Sequence, residues 1–181
     1  RRESFGAPLK RICEAVSKIA NKYSDIRVVL PLHKNPVVRE IVGEHLGEIN
    51  NVDLIEPLDY EPFVHLMKSS YLILTDSGGI QEEAPSFGKP VLVLREITER
   101  PEAVAAGTVK VVGTKTDSIV EEVEKLLENK EQYERMSRAV NPYGDGHAAE
   151  RIIHILLRFF GFVDTHPEEF NVKEESYVKR I

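Results

Sequence analysis

The sequence predicts an α/β fold built on a doubly wound parallel sheet with helices on both faces. Three observations carry that expectation. Short apolar runs of strand length recur along the chain, most are followed by a segment with apolar residues three and four positions apart, and the runs are apolar at nearly every residue instead of alternating. A strand that is apolar throughout is buried on both faces, the setting of parallel strands joined by crossover helices. At 181 residues the chain is long enough for one well-buried core.

The elements follow in order. Residues 8–23 place Leu9, Ile12, Cys13, Val16, Ile19, Ala20 and Tyr23 on one helical face, and residues 26–32 form a β-branched run of strand length. Pro36 opens a second amphipathic helix through Val37, Val38, Ile41 and Leu46. Residues 52–55 read as a short strand, 61–69 as a helix with Pro62 in its first turn, and 71–74 as a buried strand. A short helix over 81–87, a strand over 90–94, a helical turn or two over 101–106 and a strand over 108–112 closed by Gly113 come next. Ser118 and Glu121 have capping-box spacing and are expected to open a helix with Ile119, Val120, Val123, Leu126 and Leu127 toward the core. A helix through Tyr133 and Met136 and a turn over 141–146 precede a long helix. That helix carries Ala148, Ile152, Ile155, Leu156 and Phe159 on one side and ends at Gly161. Residues 1–161 are therefore expected to form the folded domain, and 162–181 a tail with little periodicity.

A net charge of -6 argues against nucleic acid as the main partner, because backbone-phosphate binding needs a basic face. The longest apolar runs are too short to span a bilayer, and no signal peptide opens the chain, so the cytoplasm is expected. One cysteine, Cys13, excludes an internal disulfide framework, and the six histidines show no zinc spacing; neither a metal nor a cofactor is expected. The chain opens on Arg1-Arg2 with no initiator methionine, which reads as a fragment or processed piece.

Residues 71–81 hold the clearest chemistry: a buried strand runs into Thr75-Asp76-Ser77-Gly78-Gly79 and then into a helix. Two glycines let backbone approach a ligand, free N–H groups open the helix, and the Ser77 hydroxyl adds a donor. Two readings stay open at this point, an anion site and a tight connection in which Ser77 or Gly78 merely caps the helix. Glu82 and Glu83 are expected in the first turn of that helix, where the dipole favours acids. Glu83 is also the better placed to accept from a ribose diol. Arg95 and Arg100 follow the next strand and so reach the same edge of the sheet, as His33 does after the strand at 26–32.

The run TDSGGIQEEAPSFGKPVLVLREITERPEAVAAGTVKVVGT at 75–114 closely resembles non-hydrolysing UDP-N-acetylglucosamine 2-epimerases. The opening Arg1-Arg2-Glu3-Ser4-Phe5-Gly6, PLHKNPVVRE at 31–40 and NPYGDGHAAERI at 141–152 resemble them too, covering about residues 1–160. The resemblance implies the Rossmann-like C-terminal half of a two-domain glycosyltransferase-B fold, with the missing N-terminal domain as partner and a homodimer when complete. It implies that Phe63 holds the uracil, Ser77, Gly78 and Gly79 the diphosphate, Glu83 the ribose and Arg100 further ligand contacts. Arg1, Glu3 and His33 match positions of a regulatory UDP-N-acetylglucosamine site in bacterial members, and Leu58 stands where some members have a glutamine near the uridine. Catalytic carboxylates belong to the first domain, and a histidine that lines the site immediately precedes the arginine pair in the family, so the catalytic residues are unknown from this chain and the chain alone is expected to be inactive.

The implied reaction of the complete isomerase converts UDP-N-acetylglucosamine to UDP-N-acetylmannosamine, for surface polysaccharides, by anti elimination of UDP and its return. Two alternatives remain: the hydrolysing relatives, which release N-acetylmannosamine and UDP, and a non-catalytic nucleotide-binding fragment.

Overall fold

A computed structural model of the chain describes residues 5–170. The described residues hold five strands that alternate with helices as far as α6, and two further helices: α1 (Ala7–Lys22), β1 (Val28–Pro31), α2 (Pro36–Leu46), β2 (Val52–Ile55), α3 (Tyr60–Ser69), β3 (Ile73–Thr75), α4 (Gly78–Glu83), β4 (Val91–Val93), α5 (Pro101–Ala106), β5 (Val109–Val111), α6 (Thr116–Glu128), α7 (Lys130–Ser137) and α8 (Ala148–Phe159). A 3-10 turn, Ala84–Phe87, continues α4. All strand pairs are parallel, with Val28 opposite Val52, Leu74 opposite Leu92, and Leu92 opposite Lys110. Hydrogen bonding divides the expected single sheet into β1-β2 and β3-β4-β5. Leu74 of β3 packs against the cores associated with both pieces.

The double winding is plainest at β4, where Val91, Leu92 and Val93 are wholly buried. Leu92 and Leu94 pack with Ala15 and Ile19 of α1 and with Ile119, Val123 and Leu126 of α6. Val91 and Val93 pack on the other side with Met67, Ala84, Ala103 and Val109. A strand enclosed on both faces has no use for a polar side chain, hence the uninterrupted apolar run in the sequence. The third cluster joins Cys13, Val16 and Ala20 of α1 to Ile41, Val42 and Leu46 of α2 beside Val52. Burial, reinforced by Glu14, pushes the Cys13 thiol up to about 11.

Several expectations are corrected. Tyr71 lies outside β3; its exposed ring stacks on Tyr133 at 4.1 Å between centroids, and the Tyr133 hydroxyl donates to its carbonyl at 3.0 Å. The Ser118–Glu121 capping box does not form, because α6 begins two residues before Ser118. There the Thr116 hydroxyl donates to the Arg11 carbonyl at 3.1 Å and lies 3.1 Å from Glu14 Oε2, pinning the start of α6 to α1. Helix α4 begins at Gly78, not at 81, so Glu82 and Glu83 occupy its last turn and gain nothing from the N-terminal dipole. Pro85, which lacks an N–H, stands where α4 tightens into the 3-10 turn, and Gly88 ends that turn at φ +65.

Helix α8 stands out for its exposure. Its bounds match the expected pattern, and Gly161 follows at φ +76, yet none of its residues is buried. Ile152, Ile155, Leu156 and Phe159 are 50–81% exposed. The period of the apolar residues identified the helix, but it does not say which body covers the face. Residues 163–170 return along α8, where Arg151 donates to the Glu168 carbonyl at 2.7 Å and His154 Nε2 lies 3.0 Å from the Thr165 carbonyl. No helix among the described residues is long and apolar enough to cross a membrane.

Candidate functional site at the carboxyl ends of β3 and β4

Parallel strands present their loops, and the N-termini of the helices that follow, at the carboxyl edge of the sheet. Here β3 delivers Asp76 and Ser77, and β4 delivers the segment from Leu94 to Arg100. Ser77 is the N-cap of α4, in extended conformation, and its side chain makes no capping hydrogen bond. Its backbone N–H donates to Thr75 Oγ1 at 3.0 Å, which closes the turn without using the Ser77 hydroxyl. The N–H groups of the first helical turn have no acceptor within the helix. Gly78 and Gly79 both have negative φ, so handedness does not demand glycine here.

Smallness is what Gly79 supplies. The position that a Cβ would take there lies 3.8 Å from Glu83 Oε1 and 4.0 Å from Ser77 Oγ, so hydroxyl and carboxylate flank the exposed face of Gly79. Glu83 is oriented by Tyr60, whose hydroxyl donates to Glu83 Oε2 at 3.2 Å; that hydrogen bond raises the pKa of the phenol. Tyr60 and Phe63 stand three residues apart on α3 and share a side of the helix. The Phe63 ring is half-buried against Met67, Ala84 and Val91.

Arg100 reaches the edge from β4 as the N-cap of α5, with its side chain 32% exposed. Its guanidinium is engaged: Nε pairs with Glu82 Oε1, and Nη1 donates to the Glu99 carbonyl at 3.1 Å. The pairing raises the pKa of Arg100 further above its ordinary value. Arg95 is 10% exposed and lies 3.4 Å from Glu99. The 141–146 turn is tied to the end of α4, because Asn141 Nδ2 donates to the Glu82 carbonyl at 3.1 Å and to Ser86 Oγ at 2.7 Å. Tyr143 from that turn packs beside Ala103 and Val93, and burial raises the pKa of its phenol.

The structure thus brings Ser77, Gly78, Gly79 and Glu83 together at α4, with Arg100 tied to that helix through Glu82, and with Phe63 on α3, the helix whose Tyr60 bonds Glu83. His33 sits apart in the turn after β1, exposed, with Nδ1 accepting from the Asn35 N–H at 3.1 Å. Arg1 and Glu3 lie outside the described residues. Leu58 is 38% exposed between β2 and α3. Among the described residues no group of three or more His, Cys, Asp or Glu side chains could hold a metal ion.

Tyr60, Gln81, Glu82 and Thr98 escaped the sequence reading as parts of this site. Tyr60 had a signal, since a tyrosine three residues before Phe63 on a helix shares its face. Glu82 read only as a dipole partner. Gln81 and Thr98 meet across 17 residues, which no local pattern reports.

Residues 1–157 match the family model described as UDP-N-acetylglucosamine 2-epimerase. The UDP-N-acetylglucosamine 2-epimerase of Escherichia coli K12 is 60% identical over 156 residues, 86% of this chain and 42% of that protein. Its counterpart in Yersinia pestis is 58% identical over the same length and coverage. Among solved structures, UDP-GlcNAc 2-epimerase from Neisseria meningitidis bound to UDP-GlcNAc aligns at TM-score 0.83 and 54% identity, covering 87% of this chain and 43% of that one. The S. aureus MnaA–UDP co-structure aligns at TM-score 0.88 and 48% identity, covering 94% and 47%. The chain spans less than half the length of these relatives.

Proposed function

The chain belongs to the UDP-N-acetylglucosamine 2-epimerase family, and from that premise we propose that it supplies the UDP-binding half of a non-hydrolysing epimerase. The complete protein interconverts UDP-N-acetylglucosamine and UDP-N-acetylmannosamine by eliminating UDP across C1–C2 and returning it after reprotonation of C2 on the other face. The observation that carries the assignment is the convergence of the Ser77 hydroxyl and the Glu83 carboxylate on the exposed face of Gly79, at the opening of α4. A pyrophosphate needs several short donors and close backbone approach, and a ribose diol needs an acceptor a few ångströms away; the two lie side by side here.

Elimination breaks the anomeric C–O bond and leaves its electron pair on the β-phosphate of UDP. Charge therefore grows on the diphosphate as the bond lengthens. The N–H groups of Gly78 and Gly79 and the Ser77 hydroxyl are fixed before the reaction and stabilise that charge without reorganising. Arg100 adds a guanidinium to the same group, and Glu83 and Phe63 fix the ribose and the uracil so that the breaking bond faces the remainder of the protein. Proton abstraction and return at C2 fall to residues outside this chain. We place the enzyme in the cytoplasm as a homodimer, with the exposed apolar face of α8 covered by the missing half; the short coverage of the relatives supports that occupant.

Calorimetric titration of the 181-residue chain with UDP tests the binding half, and absence of saturable binding overturns it. Product analysis on the complete protein tests the reaction. Free N-acetylmannosamine appearing in step with UDP would assign the hydrolysing outcome instead. Measurable epimerisation by the chain alone would refute the division of labour.

A further inference from the structure

Gln81 is wholly buried in α4, yet it is polar, and nothing in the binding roles above uses it. Its side chain spans two pieces of the site. Nε2 donates to the Ser77 carbonyl at 3.1 Å, and Oε1 accepts from the Thr98 hydroxyl at 2.6 Å. The same Thr98 oxygen accepts the backbone N–H of Arg100 at 3.1 Å. The three bonds run in one direction, from Arg100 through Thr98 and Gln81 to Ser77. Only one amide orientation satisfies them, because a flipped Gln81 would set its oxygen against the Ser77 carbonyl and require Thr98 to accept twice.

This arrangement joins the two elements that carry the anion donors. Ser77 begins α4 after β3, whereas Arg100 begins α5 after β4, and loops at a sheet edge are otherwise free to move apart. Burial also makes the connection stiff, since a buried polar group left without its partner is costly and the relay resists opening. At the far end Glu82 holds the Arg100 guanidinium, so Arg100 is fixed at its backbone by Thr98 and at its head by Glu82.

We propose that Gln81 and Thr98 are positioning residues that set the Arg100 guanidinium at a fixed distance from the Ser77 turn, so that both meet one diphosphate. The inference rests on the nucleotide reading above. It is tested by titrating the chain with UDP and with uridine, followed by NMR where binding is weak, in wild type, Thr98→Val, Thr98→Ser, Arg100→Ala and the double variant Thr98→Val/Arg100→Ala. Thr98→Val removes the hydroxyl at nearly constant shape and is expected to weaken UDP about tenfold while uridine changes less than about twofold. Thr98→Ser restores UDP binding to within about twofold of wild type, and Thr98→Val adds nothing further once Arg100 is alanine. If Thr98→Val lowers the melting point too far to titrate, Gln81→Met keeps the shape of the buried chain, removes both side-chain bonds and carries the same expectations. UDP binding unchanged in the variant, equal loss for UDP and uridine, or full additivity with Arg100→Ala each overturns the relay alone. Failure of the wild-type chain to bind UDP overturns the nucleotide reading, and the relay falls with it.

Discussion

Gly79→Ala separates what the fold asks of this position from what a ligand asks of it. In the free chain the added methyl meets only Glu83 Oε1 at 3.8 Å and Ser77 Oγ at 4.0 Å, which is ordinary van der Waals contact. The backbone is helical with negative φ, so alanine is also the better helix former. The substitution is expected to stabilise the chain by about 0.5 kcal/mol, the lower end of the glycine-to-alanine difference because the site is in a first turn. For a chain of this size that raises the melting temperature by roughly 1–2 °C. The same methyl stands between the Ser77 hydroxyl and the Glu83 carboxylate, where the diphosphate and ribose are assigned. Forcing a methyl group into an occupied site costs about 1–3 kcal/mol, so UDP should bind roughly fivefold to a hundredfold weaker. Stability and affinity therefore move in opposite directions, which general damage cannot produce. A thermal melt and a UDP titration on one preparation suffice. Unchanged UDP affinity in a stabilised variant refutes the placement of the ligand over Gly79.

Other expectations follow from the same geometry. Arg100→Ala should weaken UDP by about tenfold to a hundredfold in calorimetry and leave uridine nearly unchanged, because only the diphosphate meets the guanidinium. Glu83→Gln should weaken UDP and uridine by similar factors, since both carry the ribose; a selective effect on UDP would reassign Glu83. The Cys13 thiol, pushed up to about 11 in the fold, favours the native state below the unfolded thiol pKa. That contribution disappears as pH rises through the folded value, so urea stability should fall by up to about 2 kcal/mol between roughly pH 9 and 11. Cys13→Ala should lack that component of the slope. Phe159→Ser should change the melting free energy of the chain by less than about 0.5 kcal/mol, because the ring is 81% exposed; a larger loss would mean that α8 is covered in solution.

The legibility of the fold followed burial. The fully enclosed β4 is legible because one environment acts on each of its residues and continuity reports it, whereas α1 and α2 are legible because one face of each is buried and the other exposed, so that period reports it. β2 matches its expected bounds, Val52–Ile55, although only Val52 of it is buried. The start of α4 at Gly78 is not legible because glycines carry no hydrophobic signal, so the pattern begins only where apolar and acidic residues resume. The period places α8 but leaves open what covers its apolar face, because amphipathicity records that a surface is to be covered, not by which body. At the site, Ser77, Gly78, Gly79 and Glu83 could be singled out because they sit together on one turn of chain. Glu82 escaped because its partner, Arg100, arrives from another strand, and the Gln81–Thr98 contact escaped for the same reason.

The electrostatics of the site explain why backbone donors have to lead. The chain carries a net charge of -6, and Asp76, Glu82 and Glu83 all lie on or beside the turn assigned to a dianion. Both arginines at this edge already face carboxylates, Arg100 with Glu82 and Arg95 with Glu99. An ion pair of that kind presents little field beyond its own length, since opposite charges cancel at distance and solvent salt screens the remainder. Long-range attraction for a phosphate is therefore weak, and affinity must come from contacts made at hydrogen-bond range. N–H groups at the opening of α4 suit that requirement: they carry partial positive charge, cannot be deprotonated and are fixed by the fold. In the proposed reaction an arginine leashed to Glu82 complements them, because the diphosphate would have to share or displace a carboxylate to engage it, and that exchange would become more favourable as negative charge accumulates on the departing UDP. Under the proposed epimerase reading, such a site would hold the nucleotide modestly at rest and most strongly when the glycosidic bond is broken, which is the direction of preference that speeds an elimination.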